Sequence, residues 1–141
     1  MCMHSSKVND MCGILGVFVS EYNRFALEKI EQLMKGLLIR GHHSIGIAFY
    51  DDNKIQIYKS MDKDGIKGFV EILDAYKPKR FIFHNRYSTS GDWHFVENNQ
   101  PIHVSGIGAI ATNGVLSMKT KDEMEADFGV KLNCDNDAEV F

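Results

Sequence analysis

The chain has little of what commits a protein to a specialised setting. Its 141 residues include three cysteines and two prolines. No apolar run approaches the roughly 18 residues that span a bilayer, and no charged-then-apolar signal opens the chain. Cys2, Cys12 and Cys134 are odd in number and widely spaced, which speaks against a disulfide framework and for a reducing, cytoplasmic setting. The net charge of -3 is mild and not gathered into blocks, so no nucleic-acid footprint is expected. His42, His43, His84, His94 and His103 lack ligand spacing, and there is no paired CxxC; no metal site is expected. What is present, 44% hydrophobic and 25% charged residues, suits one globular domain with a real core.

Periodicity divides the chain. Residues 1–11, MCMHSSKVNDM, are polar, aperiodic and read as a detachable leader. Gly13–Val19 is continuously apolar, as in a strand covered on both faces. Between Arg24 and Ile39, residues Leu27, Ile30, Met34, Leu37 and Leu38 fall at helical spacing. Ile45–Tyr50 and Lys54–Tyr58 flank Asp51-Asp52-Asn53 as a hairpin. A second amphipathic helix, Gly65–Tyr76, stops before Pro78. Strands follow at Arg80–His84 and Ile107–Ala111, then a short helix, Asp122–Phe128, ended by Gly129. This succession of helices and strand groups predicts an α+β layered domain. Asp135-Asn136-Asp137 near the end reads as the cap of a further helix.

Several residues carry two readings. Cys12 is an inert buried thiol or, if its own amine is free, a nucleophile. An α-amine of pKa about 8 on the same residue as a thiol of pKa about 8.5 is a built-in general base. Asn113-Gly114, between apolar runs, is a type I′ turn or an oxyanion hole made of an amide and a main-chain N–H. Arg86 in HNRYSTSGD is a solvated ion-pair partner or a bidentate carboxylate clamp. Asp137 is a helix cap or the partner of an ammonium group.

Taken in order, six stretches resemble one family. They are Met11-Cys12-Gly13-Ile14, Arg40-Gly41-x-x-Ser44-x-Gly46, His84-x-Arg86-Tyr87-x-Thr89-x-Gly91, Asn98-x-Gln100-Pro101, Asn113-Gly114 and Asp137-x-Glu139-Val140. Together they resemble the class II, N-terminal nucleophile type, glutamine amidotransferase domain. The resemblance implies a four-layer αββα sandwich spanning residues 12–141, with residues 1–11 removed as a propeptide or bypassed by initiation at Met11. It also implies a domain continuing beyond the Asp137 stretch, so the second sheet is expected to be incomplete at the C-terminus.

The roles it implies are specific. Cys12 attacks the side-chain amide of glutamine, with Asn113 and Gly114 as the oxyanion hole. Arg86 takes the α-carboxylate and Asp137 the α-ammonium, Tyr87 and Thr89 line the pocket, and Arg40 and Gly41 support the loop beside the nucleophile. Glutamate and ammonia form through a thioester without a cofactor, the ammonia passing to a synthase domain or separate acceptor protein. Three positions depart from the family pattern: His43 stands where an acid is common, Thr112 where histidine precedes Asn-Gly, and Ser88 replaces a common alanine. Other readings are a silent binding module, if the leader stays attached, and a stand-alone γ-glutamyl amidohydrolase.

Overall fold

A computed structural model describes residues 11–140; most of the expected leader lies outside the described residues. Strand β1 (Gly13–Phe18) is followed by helix α1 (Arg24–Leu37), whose apolar stripe buries Ile30 and Met34. Asn23 starts the helix by accepting the Ala26 N–H. Strands β2 (Ser44–Asp51) and β3 (Lys54–Ser60) form the expected hairpin. Its turn is Asp52-Asn53, both left-handed, as a type I′ turn requires. Helix α2 (Ile66–Tyr76) ends on left-handed Lys77, just before Pro78, and strand β4 (Arg80–Arg86) follows. Next come the short strands β5 (Ile102–Val104) and β6 (Gly108–Ile110) and helix α3 (Lys121–Phe128). Thr120 and Glu123 make a reciprocal capping box at its start, and Gly129 ends it.

Four strands form one antiparallel sheet in the order β1-β4-β2-β3; β5 and β6 form a second, antiparallel ribbon. Alternation then divides the larger sheet. Ile45, Ile47 and Phe49 of β2 and Phe81 and Phe83 of β4 point to one face and pack with Ile30, Met34, Ile66, Phe69 and Leu73. Each such side chain contributes about 1.5–3 kcal/mol when fully buried, so this interface carries most of the stability. The fold is mixed α and β with antiparallel sheets, as expected for the α+β class.

The other face carries Ile14, Gly16 and Phe18 of β1, with Ile82, His84 and Arg86 of β4 and Ser44, Gly46 and Ala48 of β2. Phe18 is 74% exposed at one end of this face, whereas Ser44, His84 and Arg86 are buried at the other. The chain 98–101 crosses directly over Gly46, where a Cβ would lie 2.3 Å from the Gln100 carbonyl oxygen. β5 and β6 lie against β3, and Ile102 joins Cys134 and Ala138 in a small second core.

Asp135-Asn136-Asp137 leads into a 3₁₀ turn, Asp137–Val140, capped by Asn136 through the Ala138 N–H. One local expectation gives way. Asn113-Gly114 closes no hairpin, because no strand after β6 pairs with it among the described residues and neither residue has positive φ. No helix among the described residues is long and apolar enough to cross a membrane.

Candidate active site

Strand register brings the motif residues to one end of the large sheet. Gly13 pairs with Asn85 and Ser44 with Arg86, so the start of β1, the end of β4 and the start of β2 meet there. Cys12 precedes β1 and Tyr87 follows β4. The Cys12 thiol donates to the Tyr87 carbonyl at 3.4 Å, and the Tyr87 N–H donates to Sγ at 3.3 Å. Burial pushes the thiol pKa up, while the Tyr87 N–H, Arg86 and Arg40 pull against it and Asp137 adds to the rise. Cys12 borders a cavity of about 170 Å³, lined also by Met11, Tyr87, Thr89, Asn113, Gly114 and Val115. A second cavity, about 240 Å³, shares Asn113, Gly114 and Val115 and adds Thr112, Leu116 and Asp137. The motif residues thus converge, with one exception.

That exception is Arg86. Its guanidinium is turned to the loop after β4, where Nη1 donates to the Asn98 carbonyl and Asn99 Oδ1, and Nη2 to the carbonyls of Ser90 and Gly91. It is 2% exposed and lines neither cavity. All of these partners are neutral oxygens. Burial accordingly lowers its proton affinity, opposed by Cys12, Cys134, Asp137 and Asp92.

Asp137 is equally engaged. Oδ2 accepts the N–H groups of Leu116 at 2.6 Å and Ser117 at 2.9 Å, and Oδ1 accepts the Ser90 hydroxyl at 2.8 Å. It thereby shapes the turn that follows Gly114.

Arg40 holds the cysteine from the other side. Its Nε donates to the Cys12 carbonyl at 3.1 Å, and its carbonyl accepts the Met11 N–H at 3.0 Å. Gly41 lets this loop cross the end of β4: a Cβ there would lie 2.5 Å from the Arg86 carbonyl oxygen. Any other residue would push the loop off the strand.

Further residues matter that the motifs left without a role. His84 Nε2 lies 3.1 Å from the Thr112 carbonyl, which assigns the proton to Nε2. Burial pushes its pKa down to about 4, so the ring is neutral. The Gln100 carboxamide accepts the Thr112 N–H at 2.6 Å, so Thr112 is fixed on both sides just ahead of Asn113. His84 Nδ1, Ser44 Oγ and Asn85 Oδ1 are buried and unpartnered. Asn98-x-Gln100-Pro101 was the one available signal for Gln100; His84 opens the motif His84-x-Arg86-Tyr87, which gives it no role because its partner lies 28 positions away.

Among the described residues, no three His, Cys, Asp or Glu side chains group as metal ligands. A concavity of about 740 Å³ lies at the far end of the sheet beside Asp51-Asp52-Asn53 and Lys77–Arg80 and contains none of the motif residues.

Comparison with known proteins agrees with the motifs. The chain is 32% identical to the amidophosphoribosyltransferase of Methanothermobacter thermautotrophicus, over 96% of its own length and 29% of that protein. It is 28% identical to the glutamine–fructose-6-phosphate aminotransferase (isomerizing) of Sulfolobus acidocaldarius, over 93% of this chain and 22% of the relative. The Bacillus subtilis protein of the same name is 33% identical over 92% of this chain and 21% of its own. The chain therefore spans between a fifth and a third of the length of these relatives. No protein-family model matches it. By motif order and by similarity along nearly its whole length, the chain is a relative of the class II glutamine amidotransferases.

Proposed function

We propose that residues 12–141 form a glutaminase domain, in which Cys12 attacks the side-chain amide of glutamine once residues 1–11 are gone. The observation that carries this reading is the convergence of Cys12, Tyr87, Thr89, Asn113 and Gly114 on one cavity, with Asp137 on the adjoining one. The freed α-amine of Cys12 takes the thiol proton, and the thiolate adds to the carboxamide carbon. Asn113 Nδ2–H and the Gly114 N–H hold the negative oxygen; each such donor is worth about 3 kcal/mol in the transition state. The tetrahedral species collapses to a thioester as the ammonium of Cys12 protonates the departing NH₂ group, which leaves as ammonia. Water, deprotonated by the same amine, then releases glutamate and restores the thiol. The balance closes without a metal or cofactor.

Arg40 suits a processed N-terminus. Its Nε bond goes to the carbonyl of Cys12, so that grip survives loss of the leader. Asp137 offers the carboxylate for the substrate ammonium. Arg86 is a buried cation whose present partners are neutral, which favours an anion nearby. For the α-carboxylate to reach it, the loop carbonyls must yield, so glutamine binding is coupled to movement of residues 90–99.

The same reading places the large sheet and the α1–α2 layer as half of an αββα sandwich, with β5 and β6 as part of the second sheet. The ammonia acceptor sits on another domain or protein, in keeping with the greater length of the relatives. The test is glutamate and ammonia release from glutamine by a chain beginning at Cys12. Equimolar products, lost in Cys12→Ala, support the reading; none at saturating glutamine overturns it.

A further inference from the structure

His43 grips the segment that cradles the thiol at two points. Its main-chain N–H donates to the Arg86 carbonyl at 3.1 Å, and its Nδ1 accepts the Ser88 N–H at 2.7 Å. Between these two lies Tyr87, whose own N–H and carbonyl face Cys12 Sγ. The imidazole is fixed in plane: Trp93 stacks on it at 5.1 Å and 22°, and Tyr87 lies at 5.3 Å. An N–H can donate to Nδ1 only while that nitrogen keeps its lone pair. The hydrogen bond therefore requires the neutral ring.

We propose that His43 is a positioning residue for the Cys12 thiol, its neutral Nδ1 holding Ser88 so that the Tyr87 N–H stays aimed at Sγ. The proposal rests on Cys12 being the reacting group of the proposed glutaminase. Protonation of His43 sets two N–H groups against each other and frees residues 86–88. The thiolate then loses its Tyr87 donor, so acid costs reactivity twice, once through the thiol and once through the imidazole.

The surroundings keep the ring neutral. His42 meets it edge-on at 6.2 Å, Arg86 and Lys63 add positive charge, and His94, bonded to Asp92, lies beyond Trp93. Burial first, then these cations, lower its proton affinity below the ordinary imidazole value of 6.5. The switch therefore operates in the acid limb.

The test follows alkylation of Cys12 by iodoacetamide in the full chain, read by peptide mass so that Cys2 and Cys134 are counted apart, alongside glutamate release by the chain that begins at Cys12. His43→Phe keeps a stacking ring and loses the acceptor; it should slow Cys12 alkylation about five- to tenfold near pH 8, the cost of one hydrogen bond. His43→Asn supplies an acceptor that does not titrate and should recover most of that rate. Below pH 6.5 the logarithm of the wild-type rate should fall with a slope steeper than one, and that of His43→Asn with unit slope. Equal slopes in the two proteins, or a wild-type rate in a folded His43→Phe, overturn the proposal. If His43→Phe does not fold, the slope comparison decides alone. Alkylation needs no glutamine: a steep wild-type limb without glutamate release sinks the glutaminase reading and leaves His43 in place, while glutamate release with equal slopes does the reverse.

Discussion

His84 donates from Nε2 to the carbonyl of Thr112 at 3.1 Å, tying the buried end of β4 to the residue ahead of Asn113-Gly114. The bond makes a neutral, buried histidine part of the frame of the site, and the cost of charging it is a stability effect. Its pKa, about 4 when folded against 6.5 when free, is lowered mainly by burial. Between those values the unfolded chain binds the proton and the folded chain does not. Stability from this group is therefore full above pH 6.5 and is lost as pH falls toward 4, amounting to about 3 kcal/mol. Urea denaturation across that range should show the decline, and His84→Gln should flatten it. An equal decline in both would place the acid sensitivity elsewhere.

Removing the amide of Asn113 tests the oxyanion assignment. Asn113 is exposed beside Cys12 and makes no hairpin turn, so Asn113→Ala should leave folding intact. It should lower kcat about 100- to 1,000-fold, with KM little changed. A comparable loss in KM alone would assign Asn113 to ground-state binding.

Asp137→Asn separates charge from shape. The amide oxygen can keep the Leu116 and Ser117 N–H groups, and its NH₂ can donate to Ser90 Oγ after the hydroxyl turns. Thermal stability should hold within about 1 kcal/mol, while KM for glutamine rises about ten- to a hundredfold through loss of a charge-assisted bond. An unchanged KM contradicts the ammonium role.

Arg86→Met should be mainly a stability variant. It strips the cation from four oxygens of the loop and leaves them buried, a loss of about 3–5 kcal/mol. A melting temperature equal to wild type would show that the loop does not depend on the guanidinium.

Much of the framework was legible because apolar periodicity reports burial directly. Ile30 and Met34 of α1, and Phe81 and Phe83 of β4, stand at the positions their spacing predicts. β4 runs two residues past the expected end at His84, because Asn85 and Arg86 are polar and the strand signal fades where the site begins. Asn113-Gly114 shows the same limit from the other side. Its local preference is a tight turn, overridden by Gln100 and His84 holding Thr112. The motif order located Cys12, Tyr87, Thr89, Asn113, Gly114 and Asp137 together. It could not show that the Arg86 guanidinium turns to loop carbonyls, nor that His43, in a place where an acid is common, accepts the Ser88 N–H. Those facts depend on which backbone groups the folded chain leaves within reach.

The most direct measurement is product release by a chain whose first residue is Cys12. With glutamine it should yield glutamate and ammonia in equal amounts. The same chain carrying Cys12→Ala should lose at least about a thousandfold while melting at the wild-type temperature, and a chain retaining residues 1–11 should be similarly silent. Turnover that survives Cys12→Ala, or a folded chain beginning at Cys12 that releases no glutamate, contradicts the assignment of Cys12 as nucleophile.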